Sequence, residues 1–382
     1  MAQVALSLIL LLAAGLFMRS LQRASRIDIG FNPDDVRIVS FDLSKDGYDE
    51  ADGSAFLLNL QQRVSELPGV TAAGFAHELP LDLGRSETPV FPEGYRSEDD
   101  RPWIQSDFAV VSEGYFEAAG IVVRRGRAFD SSDRSGALPV AVVSRTMAER
   151  VWPGEDAIGK RLSDTQDGEL FTVIGIVDDI KNSTLMDEPT PMLYRPLAQN
   201  YRPGLTLLAR HTEAGGEGLA ERIRETVLDA DPRLALSPVQ TLEAYTSIGV
   251  LPQKLAAGIT GGLGGLALLL CALGIYGVVA YAVAQRTREI GVRIAVGARR
   301  TDVVRMVLRD GLKLALPGLV VGLGLGIALS FLIRGFILGV GPADPLTFSA
   351  AALVLLLAVL VASVLPARRA ARIEPTIALR SE

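Results

Sequence analysis

Four long apolar stretches constrain this chain more than any other feature of its sequence. They cover residues 1–18, 255–284, 312–338 and 347–365. A helix that crosses a bilayer needs about 20 mostly apolar residues, so each stretch is predicted to be a transmembrane α-helix. The first stretch could instead be a signal peptide, but it has no basic start and no small-residue cleavage site, which favours a retained helix.

The segment between the first two apolar stretches, residues 19–250, has the composition of a water-soluble domain. It holds 24 Lys and Arg against 38 Asp and Glu, a net charge of −14, so the rest of the chain carries +8. Alternating or helical spacing predicts strands at 36–44, 70–80, 204–211 and 233–240, strands near 109, 140 and 171, and helices at 53–70, 144–152, 218–229 and from 242 onward. This order predicts two β-α-β units with an inserted region between them. Residues 77–105, rich in Pro, Gly and charge, are predicted to form a mobile surface loop.

The distribution of arginine predicts which side of the membrane each segment occupies. Residues 284–311 contain seven Arg and three acidic residues, and the tail, residues 366–382, is also Arg-rich. Short basic loops stay in the cytoplasm, whereas long domains cross regardless of charge. If all four stretches span, both termini and the loop 285–311 are cytoplasmic, although the arginines at 19, 23 and 26 oppose this orientation. The expected fold is four transmembrane α-helices plus a large α+β extracytoplasmic domain inserted between helices 1 and 2.

The basic loop has an internal pattern that its charge does not explain. Ile290 and Ile294 are four residues apart and share one helical face. A second face carries arginines at intervals of seven, namely Arg286, Arg293 and Arg300. Gly297 suits the end of this short helix, and Thr301 is predicted to cap the next one, with Asp302 in its first turn. The loop is either a docking helix for a cytoplasmic partner or only a positive-inside anchor beside anionic lipids.

At these residues the chain resembles MacB/FtsX-type ABC transporter permeases. Two segments carry the resemblance outside the large domain: QRTREIGVRIAVGARRTDVVRMVLRDG (285–311) and the closing PARRAARIEPTIALRSE (366–382). Three blocks resemble a MacB-like periplasmic core domain: VSEGYFEAAGIVVRRGRAFD (111–130), VAVVSRTMAERVWPGEDAIGKRL (140–162) and FTVIGIVDDIK (171–181). The chain is most similar to the orphan permeases, whose unit is often duplicated in one longer chain. Its start at Met1 fits a second half or a single-unit relative.

The resemblance implies a permease that depends on a separate ABC ATPase and is not itself an enzyme. No metal or cofactor site is expected in this sequence. It implies that the loop between helices 2 and 3 contacts the ATPase through Arg286, Arg288, Glu289, Gly291, Arg293, Gly297 and Ala298. It also implies a location in the bacterial inner membrane, in contact with lipids. The permease would form a homodimer or pair with a second permease half, through helix faces rich in glycine. Stalks are expected at 19–28 and 245–254, and no nucleic-acid partner is expected. The permease would transmit motion for efflux or extracytoplasmic substrate handling. The alternative is an FtsX-like scaffold that activates a partner such as a cell-wall hydrolase. A third class, a membrane-anchored enzyme, is not supported by any group of catalytic residue types in the sequence.

Several motifs are similar to phosphate-binding or metal-binding sites but are incomplete in this sequence. GEDAIGKR at 154–161 lacks the final Ser or Thr of a phosphate-binding loop and follows a predicted helix rather than a strand. His77 and His211 are too far apart in sequence to support a His-rich metal site. The acidic pairs at 99–100 and 178–179 are predicted to be solvated turn charges. Arg334 is expected to extend toward the membrane surface rather than to pair with Asp344.

Overall fold

The computed structural model describes residues 2–24, 29–82, 86–97, 99–182, 188–247, 251–296, 298–334, 341 and 343–371. They fall into two compact units. We name Met1–Arg26 with Val250–Glu382 the helical unit, and Ile27–Gly249 the α/β unit. Along the described residues, helices are numbered α1–α10 and strands β1–β11 in chain order.

The helical unit contains the four long apolar helices that the sequence predicts. They and one short helix are α1 (Ala2–Ala24), α7 (Leu251–Gln285), α8 (Thr287–Ala295), α9 (Arg300–Leu332) and α10 (Pro345–Ala370). The four long helices have the length and apolar composition to cross a membrane, with mean hydropathies from 2.1 to 2.8 in their most apolar windows. The prediction of four transmembrane helices is therefore confirmed.

Helix α1 packs closely against its neighbours because small residues face it. A Cβ added to Gly322 of α9 would lie 3.1 Å from the Cα of Ala5, and one added to Gly264 of α7 would lie 3.4 Å from the carbonyl oxygen of Leu10. Glycine at such positions lets helix backbones approach in a membrane, where lipid is as apolar as leucine. Leu8 of α1 is consequently fully buried within the bundle.

One helix start in this unit differs from the sequence expectation. Helix α9 begins at Arg300, so part of the basic loop and the third apolar stretch form one helix. Thr301 lies inside its first turn, and the prediction that it caps the helix was wrong. The Asp302 carboxylate instead accepts the Arg299 backbone N–H at 3.2 Å, a favourable place for negative charge. Asp344 caps α10 and pairs with Arg19, while Arg334 is exposed.

One part of the α/β unit, the sheet lobe, is built from the two predicted β-α-β units. Its elements are β1 (Val36–Asp42), α2 (Glu50–Ser65), β2 (Val70–Ala76), β10 (Gly204–His211), α5 (Leu219–Ala230) and β11 (Gln240–Thr241), followed by α6 (Leu242–Thr246). The strand order is β11-β1-β10-β2, with every neighbouring pair antiparallel. Asp49 caps α2, and Leu57, Leu60 and Val64 recur at helical spacing, so α2 buries one face on the sheet.

The inserted region forms a second part, the barrel lobe. Its elements are β3 (Glu87–Pro92), β4 (Ile104–Val111), α3 (Tyr115–Ala119), β5 (Val123–Gly126), β6 (Val140–Ser144), α4 (Arg145–Val151), β7 (Arg161–Ser163), β8 (Phe171–Val177) and β9 (Met192–Pro196). Six of these strands pair in a closed ring, β4-β3-β7-β8-β6-β9, in which β9 returns to pair with β4. Strand β4 also bridges β2, which joins the two lobes in one sheet.

Two predictions for this unit were wrong. Residues 77–105 contain β3, which pairs with both β4 and β7, and its Val90 is fully buried. Two prolines in this short strand had hidden its alternation. Residues 233–240 are not a strand over their length, since only Gln240–Thr241 pairs with β1. Pro238 has no N–H to donate to a ladder. The N–H of Ser237 donates to the carbonyl oxygen of Ser40 at 2.9 Å, but the N–H of Ser40 donates to the Ser237 hydroxyl instead of to a backbone carbonyl.

Candidate coupling site

Helix α8 is attached to the helical unit by a small apolar face. Ile290 is only 1% exposed and belongs to the same buried cluster as Val279 of α7 and Val307 of α9. Ile294, one turn later, is half-buried and packs against that cluster. The i,i+4 pair predicted from the sequence therefore fixes one side of α8 between the two long helices, and the opposite side is left exposed.

The charged residues predicted for this site form ion pairs at the surface. Arg293 donates to Glu289 within α8 at 2.7 Å, and its guanidinium lies 3.3 Å from the sulfur of Met306. Arg286 approaches Asp310 of α9 at 3.5 Å. All four charged side chains are 44–59% exposed, so their ion pairs are worth about 1 kcal/mol or less and orient the side chains more than they stabilise the fold.

The exposed side of α8 combines a cation with apolar side chains. Arg288 is exposed and makes no side-chain hydrogen bond or ion pair with the described residues. Val292 in the last turns of α8 is 44% exposed, and Val296, the residue that directly follows α8, is 84% exposed. Sequence reasoning missed these valines, although their i,i+4 spacing in a helix whose other face carries the isoleucines could have indicated them. We name Arg288, Val292 and Val296 the exposed face of α8.

The remaining predicted contact residues differ in what they can offer a partner. Gly291 is buried, so it contributes to the packing of α8 and not to an outer surface. Ala298 is half-buried, and its N–H donates to the carbonyl oxygen of Arg293 at 3.0 Å, which turns the chain after α8. Gly297, predicted to end the helix, lies outside the described residues. The structure thus brings Arg286, Arg288, Glu289 and Arg293 onto one short surface element.

In the α/β unit, one acidic pair is not the solvated turn that the sequence predicted. Asp178 accepts from Arg124 at 2.8 Å, and this hydrogen bond lowers the pKa of its carboxyl group. Asp179 is 7% exposed in its side chain and accepts from Arg145 and from the N–H of Thr146, at the start of α4. The carboxylates therefore tie α4 and β5 to the end of β8. The pair at 99–100 does form exposed ion pairs, with Arg101 and Arg96.

The fold does not complete the other motifs into a binding or catalytic site among the described residues. Helix α4 precedes the segment 154–161, and Lys160 pairs with Glu155 at 2.6 Å. The rings of His77 and His211 each contact a backbone carbonyl, of Gly204 and Thr212 respectively. Within the part of the chain that the structure describes, no three His, Cys, Asp or Glu side chains are grouped as metal ligands.

Comparison with protein families identifies the class of this membrane protein. Residues 1–236 match the MacB-like periplasmic core domain, and residues 261–375 match the FtsX-like permease C-terminal domain. The chain belongs to the family of MacB/FtsX-like permeases, which confirms the resemblance seen in its motifs. With its four apolar helices, it is a membrane protein that has an extracytoplasmic domain. Both matching segments are of the permease type.

Individual relatives have similar domains within longer chains. The probable syringafactin export ATP-binding/permease protein SyfD of Pseudomonas syringae pv. tomato is 30% identical over 317 residues, covering 77% of this chain and 45% of SyfD. The macrolide export ATP-binding/permease protein MacB of Neisseria gonorrhoeae is 24% identical over 319 residues, covering 78% of this chain and 47% of that protein. The chain thus spans about half the length of the curated relatives it matches.

Among solved structures, the periplasmic region of MacB from Actinobacillus actinomycetemcomitans aligns with 58% of this chain and 93% of its own. The TM-score is 0.37 and the sequence identity is 14%. A likeness of this size carries no further argument, and the family assignment rests on the two matching domains.

Proposed function

We propose that the chain is the permease component of an ABC-type transporter and that a separate ATPase docks on α8. The observation that carries this proposal is a short helix, fixed by Ile290 between two membrane-spanning helices, whose outer face exposes Arg288, Val292 and Val296. Exposed valines beside an arginine that has no ion-pair partner among the described residues suit a protein partner, because interface cores are apolar and enriched in arginine. A partner ATPase would move α8, and the long helices would carry that motion toward the α/β unit for efflux or substrate handling.

The proposed orientation places α8 and both termini in the cytoplasm of a bacterial cell with the α/β unit outside the inner membrane. The arginine-rich loop supports it, because short basic loops remain on the cytoplasmic side. The same loop would lie beside anionic lipid headgroups. Labelling tests the orientation in a chain whose Cys271 is replaced by alanine. A membrane-impermeant thiol reagent applied to intact inner-membrane spheroplasts should label Arg96→Cys and spare Ala295→Cys, and the reverse pattern would exclude it.

The proposal also includes a homodimer or a paired permease half. Helix α7 has several glycines at which an added Cβ would meet no atom of a described residue within 4 Å: Gly258, Gly261, Gly262 and Gly265. Two exposed leucines lie beside these glycines, Leu263 before Gly265 and Leu266 directly after it. Small residues of this kind permit close contact with a second helix in a membrane, and Gly264 of the same helix already provides such a contact with α1.

Variants of the exposed face of α8 test the docking. The ATPase is first identified as the protein that co-purifies with the full chain from its native membrane. We expect Arg288→Glu and Val296→Glu each to reduce stimulation of that ATPase in nanodiscs by roughly tenfold, because each places a carboxylate in the contact. The matched control is Arg305→Glu, an equal charge reversal at an exposed residue of α9.

Three outcomes would contradict the proposal. Equal loss in Arg305→Glu and in the α8 variants would indicate a general charge effect. Full stimulation in both α8 variants would remove α8 from the contact. Purification of the chain with an extracytoplasmic hydrolase and without any ATPase would favour the FtsX-like scaffold instead.

A further inference from the structure

The α/β unit contains a cleft of about 740 Å³ between its two lobes. Helix α2 and β2 form one side, and residues 129–135 with the end of β9 form the other. The floor is apolar and comes from side chains that are at most 7% exposed: Leu57, Phe75, Phe129 and Leu197. Leu58 of α2 stands at the cleft with 67% of its surface exposed. A volume of this size is typical of sites that hold small organic ligands.

Hydrogen bonds fix both walls of the cleft. Arg127 donates to both oxygens of Asp133, at 2.6 and 2.8 Å, and the side chain of Asp133 is 5% exposed. On the other wall, the Gln61 amide donates to the carbonyl oxygens of Glu113 and Ala73, at 2.6 and 3.0 Å. The cleft is therefore a pre-formed feature of the α/β unit, and a ligand would not have to order its walls on binding.

The charge around the cleft is negative. Glu50 and Glu113 are exposed, and neither carboxylate has an ion-pair or hydrogen-bond partner among the described residues. The carboxylates of Asp130 and Asp133 share Arg127, and Arg134 is the cation on the lining. Four carboxylates thus face two guanidinium groups. Glu50 and Glu113, which have no ion-pair partner among the described residues, supply the excess negative charge that a ligand would meet.

We propose that this cleft binds an amphiphile that has an apolar body and a cationic group. The apolar body would cover Leu58 and rest on the aromatic and leucine floor. The cation would lie near one of the two carboxylates, either Glu50 at the start of α2 or Glu113 beside Gln61. The cleft would then be an extracytoplasmic ligand site of the permease. Only the consequence of binding, transfer of the ligand by the transporter, rests on the proposed function, because binding itself needs no ATPase.

Photo-labelling of the full chain in nanodiscs tests the site without an ATPase. The probe is a benzophenone-bearing alkyl trimethylammonium, and its comparison compound has the same tail and an uncharged hydroxyl head. We expect saturable labelling of the peptides that contain residues 50–61 and 129–135, at a lower half-saturating concentration for the ammonium probe. Labelling confined to the four membrane helices, or equal half-saturation by both compounds, would overturn the proposal.

Matched variants assign the charge effect to the cleft. The double variant Glu50→Gln/Glu113→Gln should raise the half-saturating concentration of the ammonium probe about fivefold, because it removes both carboxylates near which the cation can lie. The control Glu149→Gln/Glu225→Gln removes the same charge from exposed residues of α4 and α5 that do not line the cleft. Leu58→Asn should weaken labelling by both compounds. Identical saturation in the test and control double variants would exclude the carboxylates as the cation site.

Discussion

Replacing Ile290 with alanine tests whether α8 is held as the structure indicates. Ile290 is the side chain of α8 that is nearly fully buried, at 1% exposure, and its cluster includes Val279 and Val307. Buried Ile-to-Ala changes cost about 2–5 kcal/mol. A cavity of about 190 Å³ already adjoins Ile290 and Met306, so fewer contacts are lost than in a close-packed core and the lower figure applies.

A loss of about 2 kcal/mol should increase local opening of α8 about 30-fold. Hydrogen–deuterium exchange measures it directly, because amides of a helix exchange when that helix opens. The measurement follows peptides that span residues 288–296 in the full chain, held in nanodiscs. The peptides of α10 should not change, since the effect is confined to α8 and its contacts.

Val292→Ala is the matched control, because it also trades a β-branched residue for alanine in the same helix. Val292 is 44% exposed, so the loss of packing should be below about 0.5 kcal/mol, or roughly twofold in exchange. The gain in helix propensity is similar for the two substitutions and cancels in the comparison. Equal acceleration in both variants, or none in Ile290→Ala, would refute the anchoring of α8 through Ile290.

Three further predictions concern the folded units. The hydroxyl of Tyr194 is buried with no hydrogen-bond partner among the described residues, so Tyr194→Phe should leave the free energy of unfolding of the α/β unit unchanged or raise it by about 1 kcal/mol. Both tryptophans report this unit by fluorescence, and a loss of 1 kcal/mol or more would show that the hydroxyl is bonded. Hydrogen bonds from Arg233 lower the pKa of the Asp231 carboxyl group. The stability that this carboxylate contributes is therefore present above its unfolded pKa of about 4 and is lost as the pH falls below that value. Asp231→Asn should therefore lower the melting temperature at pH 7 and flatten its dependence on pH below 4, and parallel profiles would contradict this. Gly322→Leu should displace α1, whose backbone is 3.1 Å from the added Cβ, and lower the thermal stability in detergent. Gly324→Leu should not lower it, because a Cβ at Gly324 meets no described residue within 4 Å; equal losses in the two variants would exclude the contact between Gly322 and α1.

The secondary structure was predictable where local pattern and burial agree. The two β-α-β units follow from strands and helices whose apolar residues recur at periods of two and 3.6, as in β1 and α2. Strand β3 was missed because Pro89 and Pro92 read as loop residues, although pairing on both sides overrides that local signal. The strand predicted at 233–240 failed for the opposite reason, since apolar residues there have no ladder partner before Gln240.

At the candidate site, the sequence located the helix but not the role of each residue. The spacing of Ile290 and Ile294 predicted an apolar face, which the structure places against α7 and α9. The same spacing could not indicate that Gly291 is buried or that Val296 is 84% exposed, because exposure depends on where neighbouring helices lie. The cleft beside Leu58 was also out of reach, since its lining comes from segments far apart in the chain.

The sequence by itself determined four membrane-spanning helices, the family, and an acidic α+β domain inserted after the first helix. These follow from apolar length, charge distribution and local motifs, which are properties of neighbouring residues. Only the tertiary structure decided that six strands of the insertion close into a ring, that Asp178 and Asp179 pair with arginines, and that α8 exposes two valines. Those features depend on contacts between segments distant in sequence, and the energy of such contacts appears in no local window of residues.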